Sequence, residues 1–101
     1  MDGDVYTLGV WTVKPGKESD FIEAWRSLGS YFYSLPQPPG PGTLVQSVQD
    51  STLFYSFGPW GSIADIQAMR ADPRTASEIG KLVALCDEAV PGTYRVVASV
   101  P

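Results

Sequence analysis

The chain changes its hydrophobic period abruptly at Lys14-Pro15-Gly16. Before that point, Val5–Val13 alternates with a period of two, and both parities are apolar. Val5, Gly9, Trp11 and Val13 fall on one side, and Tyr6, Leu8 and Val10 on the other. Such a strand predicts cover on both faces. After the break, Phe21, Trp25, Leu28 and Phe32 recur at helical spacing, flanked by Ile22. This predicts a helix with a core-facing stripe that fades near Tyr33 or Ser34. Glu18 and Asp20 fall in its first turn, where they complement the helix dipole.

The segment Leu35–Gly42 holds four prolines and excludes both helix and central strand, so it is expected to be a stiff connector. Thr43–Gln49 and Thr52–Trp60 predict two strands of an antiparallel hairpin turning at Asp50-Ser51. On the second of these, Leu53, Tyr55 and Phe57 share a face opposite Phe54. Ser62 is the expected N-cap of a short helix, Ile63–Ala71. Pro73 interrupts and restarts it, and Ile79, Leu82, Val83 and Cys86 then form one apolar side. Pro91-Gly92 is read as the stop of that helix and Thr93–Val100 as the last strand. The order is β-α-β-β-α-β: one α+β domain over residues 1–101, ferredoxin-like, with a four-stranded antiparallel sheet. Helices cover only one face of such a sheet, so the second apolar face predicts a homodimer, packed sheet to sheet.

Composition narrows the chemistry. No histidine is present, which removes an imidazole general base, a Ser-His-Asp triad and histidine-ligated haem. Cys86 is the only cysteine, so neither an intramolecular disulfide nor a thiolate metal cluster can form within one chain. The expectation is a protein with no cofactor and no metal. The net charge is −4 and the seven basic residues are scattered singly, so no basic stripe exists to neutralise phosphates. Nucleic acid is not an expected partner. The acidic start Met-Asp-Gly-Asp lacks the pattern of a signal peptide, and no apolar run reaches the ~20 residues that span a bilayer. No membrane partner is expected, and the expected location is the cytoplasm.

The candidate chemistry lies among aromatic residues. Trp11 shares a strand face with Gly9, a pairing that leaves room for a ligand ring, so Trp11 is open between pocket wall and dimer core. Tyr55, mid-strand and flanked by apolar residues, is the candidate for a buried phenol that takes or gives a proton. Arg70, beside Met69, is either an anion-holding group or a solvated helix-end charge. Trp25 and Trp60 are expected to be structural, Cys86 to be inert packing, and Asp65 and Asp72 to be helix-end carboxylates.

Val13-Lys14-Pro15-Gly16-Lys17-Glu18, Val45-Gln46-Ser47-Val48-Gln49-Asp50, Phe57-Gly58-Pro59-Trp60-Gly61-Ser62 and Ala68-Met69-Arg70-Ala71-Asp72-Pro73 occur in this order along nearly the whole chain. In that order and spacing they resemble the antibiotic biosynthesis monooxygenase family of dimeric α+β barrel proteins. Some of its members oxidise phenolic polyketide precursors without a cofactor, and others degrade haem. The asparagine, tryptophan and histidine used by the haem-degrading members fall on Gly9, on Met69 and near Glu78 or Ile79. The haem-degrading set is therefore absent. The resemblance implies a cofactor-independent monooxygenase acting on a small aromatic or polyketide-type substrate. On that reading Tyr55 is the catalytic group, and Gly9, Trp11, Met69 and Arg70 bind the substrate. The alternatives on the same dimeric barrel are a non-catalytic small-molecule binding or interaction module and an isomerase or cyclase.

Overall fold

Strand β1 (Val5–Val13) organises the sheet, as its two apolar parities require. In the computed structural model, which describes residues 3–101, helix α1 (Glu18–Phe32) follows directly, and then come β2 (Thr43–Gln46) and β3 (Leu53–Trp60). Helices α2 (Ile63–Ala71) and α3 (Pro73–Ala84) and strand β4 (Cys86–Arg95) complete the chain. Met1 and Asp2, the beginning of the acidic N-terminal run, lie outside the described residues. The sheet order is β2-β3-β1-β4 and every pairing is antiparallel, the ferredoxin-like arrangement.

The join between β1 and α1 uses its glycine: Gly16 has φ +86°, the left-handed region that disfavours a side chain. On the β1 parity of Val5, Trp11 and Val13, and the β3 parity of Phe54 and Trp60, the side chains are buried beneath the helices. Phe21 from α1 is fully buried between Trp11 and Phe54, with ring centroids 5.5 and 5.1 Å away. Tilted ring pairs of this kind are worth ~0.5–1.5 kcal/mol each beyond the area they bury. Val5, Trp60, Ile66 and Met69 form a second buried cluster, against which Phe32 packs edge-on to Trp60 at 5.2 Å. The opposite sheet face has no helices. It carries Tyr6, Leu8 and Val10 with Val45, Tyr55, Phe57, Val90 and Tyr94, and the last five of these are exposed.

The boundaries of β2, α3 and β4 differ from the sequence reading. Strand β2 ends at Gln46 rather than Gln49, because Ser47 Oγ accepts the Gln49 and Asp50 N–H groups and Asp50 Oδ1 accepts that of Thr52. Side chains here take over backbone donors that a ladder would need. Helix α3 ends at Ala84, and Cys86 belongs to β4, where it pairs with Val13. Pro91 and Gly92, read as a helix stop, lie inside β4, and the strand ends at Arg95 rather than running to Val100. The proline is tolerated because β4 is an edge strand bonded only to β1. The expected cap on α2 is present: Ser62 Oγ accepts the Asp65 N–H at 3.1 Å.

Asp72 caps α3 and also accepts the Tyr31 hydroxyl at 2.6 Å and the Thr75 N–H at 2.9 Å, and so ties α1 to the α2–α3 corner. The Tyr31 bond, then the Thr75 N–H, hold the Asp72 carboxyl below its ordinary value of 3.8. The same bond to Asp72, with desolvation, raises the Tyr31 phenol above 10.0. A depressed carboxyl adds stability above its unfolded pKa and loses it as pH falls through the folded value. A raised phenol adds stability below its unfolded pKa and loses it as pH rises through the folded value. Tyr31→Phe is therefore expected to lower the Tm throughout the neutral range. The gap from the parent should narrow below pH 3.8 and again above pH 10.0, as checked by thermal melts across pH. A constant gap would mean that the bond carries no linkage.

Candidate functional site

Between the helix-facing side of the sheet and α1 lies an open cavity of about 520 Å³. Its floor is the middle of β1 and β3. There Trp11 Nε1 donates to Ser56 Oγ at 2.9 Å and Trp60 Nε1 donates to Thr7 Oγ1 at 3.1 Å. Both indoles are buried and both hydroxyls are half-buried. Trp25, Leu28 and Phe32 of α1 form the facing wall, and Met69 and Arg70 close the end nearest α2.

The Pro-rich connector is the remaining wall, through Pro39, Gly40 and Gly42. The Gly40 N–H donates to the Pro59 carbonyl at 2.9 Å. A Cβ on Gly58 would stand 3.2 Å from Gly42 Cα, so the bare backbone of β3 is what lets the connector cross so close. Gly9 serves a different approach. A Cβ there would stand 2.7 Å from Trp11 Nε1 and 2.8 Å from the ring, so the indole lies directly on this glycine. The space that Gly9 leaves is filled by Trp11 itself.

Charge is confined to the mouth. Arg26 is paired with Glu23 at 2.7 Å. Arg70 makes no hydrogen bond or ion pair among the described residues. Among the described residues no carboxylate lines the cavity, and the one phenol that does is Tyr33, which is exposed. A smaller cavity of about 160 Å³ lies behind Trp11, against α3 and β4, where burial pushes the Cys86 thiol up. Among the described residues no group of three or more histidine, cysteine or acidic side chains is arranged to hold a metal ion. No helix among them is long and apolar enough to cross a membrane.

No family model and no curated protein matches the chain. Solved structures do match. SnoaB, a cofactor-independent oxygenase from Streptomyces nogalater, superposes with a TM-score of 0.86 over 98% of both chains at 17% identity. A provisionally named antibiotic biosynthesis monooxygenase from Nitrosomonas europaea gives 0.79 at 19% identity, over 94% of this chain and 91% of that one. A conserved protein from Methanosarcina mazei gives 0.81 at 15% identity over 93% of each. The chain has the fold of the antibiotic biosynthesis monooxygenases.

Within this fold, Gly9, Trp11, Met69 and Arg70 all line the cavity of about 520 Å³. Tyr55 does not. It lies on the opposite parity of β3, on the sheet face without helices, 42% exposed, and is not the buried phenol that its apolar neighbours suggested. Apolar flanks on a strand mark a face as covered without saying by what. Trp25, expected in the core, is a half-buried wall of the cavity, and Trp60 is core and floor at once. Thr7 and Ser56 did not stand out in the sequence. Their signal was strand parity, since Thr7 lies two residues from Gly9 and Ser56 two from Phe54.

Gly9→Ala is expected to lift the Trp11 indole off the strand and break its bond to Ser56. The Trp11 indole N–H resonance should move while the sheet amides hold their shifts, as read by NMR of the labelled protein. An unmoved indole resonance would show that the glycine is not needed for this packing.

Proposed function

We propose that the chain is a cofactor-independent monooxygenase whose substrate is a small planar aromatic or polyketide-type molecule bound in the large cavity. One observation carries this reading: a cavity of about 520 Å³ with aromatic and aliphatic walls, two hydroxyls on its floor and an unpaired guanidinium at its mouth. That volume falls in the range of small-molecule sites. The fold shared with a cofactor-independent oxygenase supports it further.

In such a reaction the substrate supplies the electrons. A ring-activated methylene loses a proton, the carbanion reduces dioxygen and a C–O bond forms. The O–O bond of the resulting peroxide then breaks. One oxygen stays as a carbonyl and the other leaves as water, so that CH₂ + O₂ gives C=O + H₂O. The chain contributes an apolar slot that orients the ring and excludes water from one face. The Arg70 charge favours the ionised substrate at the mouth. Among the described residues no carboxylate lines the cavity, and on this reading the first proton passes to water at the open side.

The same absence of a lining base favours a second reading, a binding module on the same scaffold. Turnover separates the two. Under the enzyme reading, the protein consumes dioxygen with a phenolic polyketide-type substrate, and Arg70→Met lowers kcat/KM by about tenfold or more. Under the binding reading, no dioxygen is consumed and Arg70→Met weakens affinity alone.

The reading includes a cytoplasmic homodimer in which the two helix-free sheet faces meet. Exposed Val45, Tyr55, Phe57, Val90 and Tyr94 support this, since a contiguous apolar face in water is unfavourable. Tyr55 then belongs to the subunit contact rather than to the chemistry. Sedimentation equilibrium is expected to give twice the 10.9 kDa of one chain, and Tyr55→Lys to shift the mass toward the monomer. A monomeric parent protein would refute the assembly.

A further inference from the structure

Two indoles and two hydroxyls are arranged in pairs on the cavity floor. Register places Thr7 opposite Gly58 and Gly9 opposite Ser56. The two hydroxyls therefore take one diagonal of a four-residue square, and the two glycines take the other. Adjacent-strand diagonal neighbours of this kind stand within reach of a single ligand.

The hydrogen-bond count at these hydroxyls is one-sided. Each oxygen has one hydrogen to give and two lone pairs to share. Ser56 Oγ receives the Trp11 N–H and Thr7 Oγ1 receives the Trp60 N–H. An indole nitrogen only donates, so neither partner can take a hydrogen back. The hydroxyl hydrogens of Thr7 and Ser56 have no acceptor among the described residues. Both residues line the cavity. A hydroxyl that already accepts a hydrogen bond is polarised into a better donor. The floor thus offers two primed donors in an otherwise apolar slot.

We infer that Ser56 and Thr7 form a paired donor site for oxygen atoms on the buried edge of the ligand. The ligand class it selects is an acidic, oxygen-bearing aromatic, a phenol or enol held as its anion, and not a plain aromatic hydrocarbon. This rests on the proposed use of the cavity for an aromatic ligand. The selection has two sources. Charge-assisted bonds to an oxyanion are stronger than neutral ones. A ligand without oxygen leaves two donors unpaired in a site it has dried. Trp11 and Trp60 act here as positioning residues, because their N–H groups set the direction in which each hydroxyl donates.

The test compares 1-naphthol with naphthalene, by calorimetry and by absorbance titration of bound naphthol. The proteins are the parent chain, Ser56→Ala, Thr7→Val and the hydroxyl-retaining Thr7→Ser. The parent is expected to bind 1-naphthol about tenfold or more tightly than naphthalene once the naphthol is ionised. Ser56→Ala and Thr7→Val should each weaken naphthol about three- to tenfold, leave naphthalene within about twofold, and raise the pH at which bound naphthol ionises. Thr7→Ser should restore the parent values. If the parent binds the two ligands equally, or if a variant loses both alike, the paired donor site is wrong and the aromatic cavity stands. If the parent binds neither, the cavity reading itself fails.

Discussion

The Trp11 indole lies on the bare backbone of Gly9, donates to Ser56 on the neighbouring strand, and meets Phe21 of α1 ring to ring. These three contacts join β1, β3 and the first helix at one side chain. Its two sides do different work. One side is part of the buried cluster with Val13, Phe54 and Leu82, and the other is exposed to the large cavity and to the smaller one behind it. An indole can do this because its ring is apolar while its single polar atom has a fixed direction. The shape of the cavity floor therefore follows from the packing of the core, while one wall is left to the Pro-rich connector.

The second constraint is the sheet with helices on one face. It explains where the prolines sit. Pro91 lies in β4, which has one neighbour, and Pro59 lies in β3 beyond the end of β2, so neither missing N–H interrupts a second ladder. The vacancy beside Pro59 is where the connector arrives, and Gly40 donates to the carbonyl there. The asymmetry also divides the aromatic residues by task. Trp11, Trp25, Phe32 and Trp60 serve the cavity, while Tyr55, Phe57 and Tyr94 are displayed on the other face.

Most of the fold was legible because its signals are local. The period change at Pro15-Gly16, the Ser62 cap and the Pro73 restart each act within a turn of chain. The misread boundaries depended on position in the sheet. Pro91-Gly92 resembles a helix stop until β4 is known to be an edge, and Cys86 continues a helical stripe until it is seen to pair with Val13. The site was legible in part for the same reason. Gly9 and Trp11 share a strand face by parity, and the family resemblance joined Met69 and Arg70 to them; all four line the cavity. Tyr55 could not be placed, because a strand apolar on both parities does not reveal which side the helices take. Thr7 and Ser56 were missed because a hydroxyl on a strand is unremarkable until an indole on the next strand is found donating to it.

The connector between α1 and β2 is held over the cavity by main-chain features: a backbone hydrogen bond to Pro59 and a glycine-to-glycine approach at Gly58. Neither depends on the side chains of residues 36–39. This wall of the site can therefore drift in sequence, and so in shape, without disturbing strand register or the ring cluster beneath it. The floor has less freedom, since its two indoles, Trp11 and Trp60, are also part of the buried clusters. Divergence in what this scaffold accepts is expected to accumulate in the wall. The floor is expected to change less, because its two indoles are packed into the buried clusters.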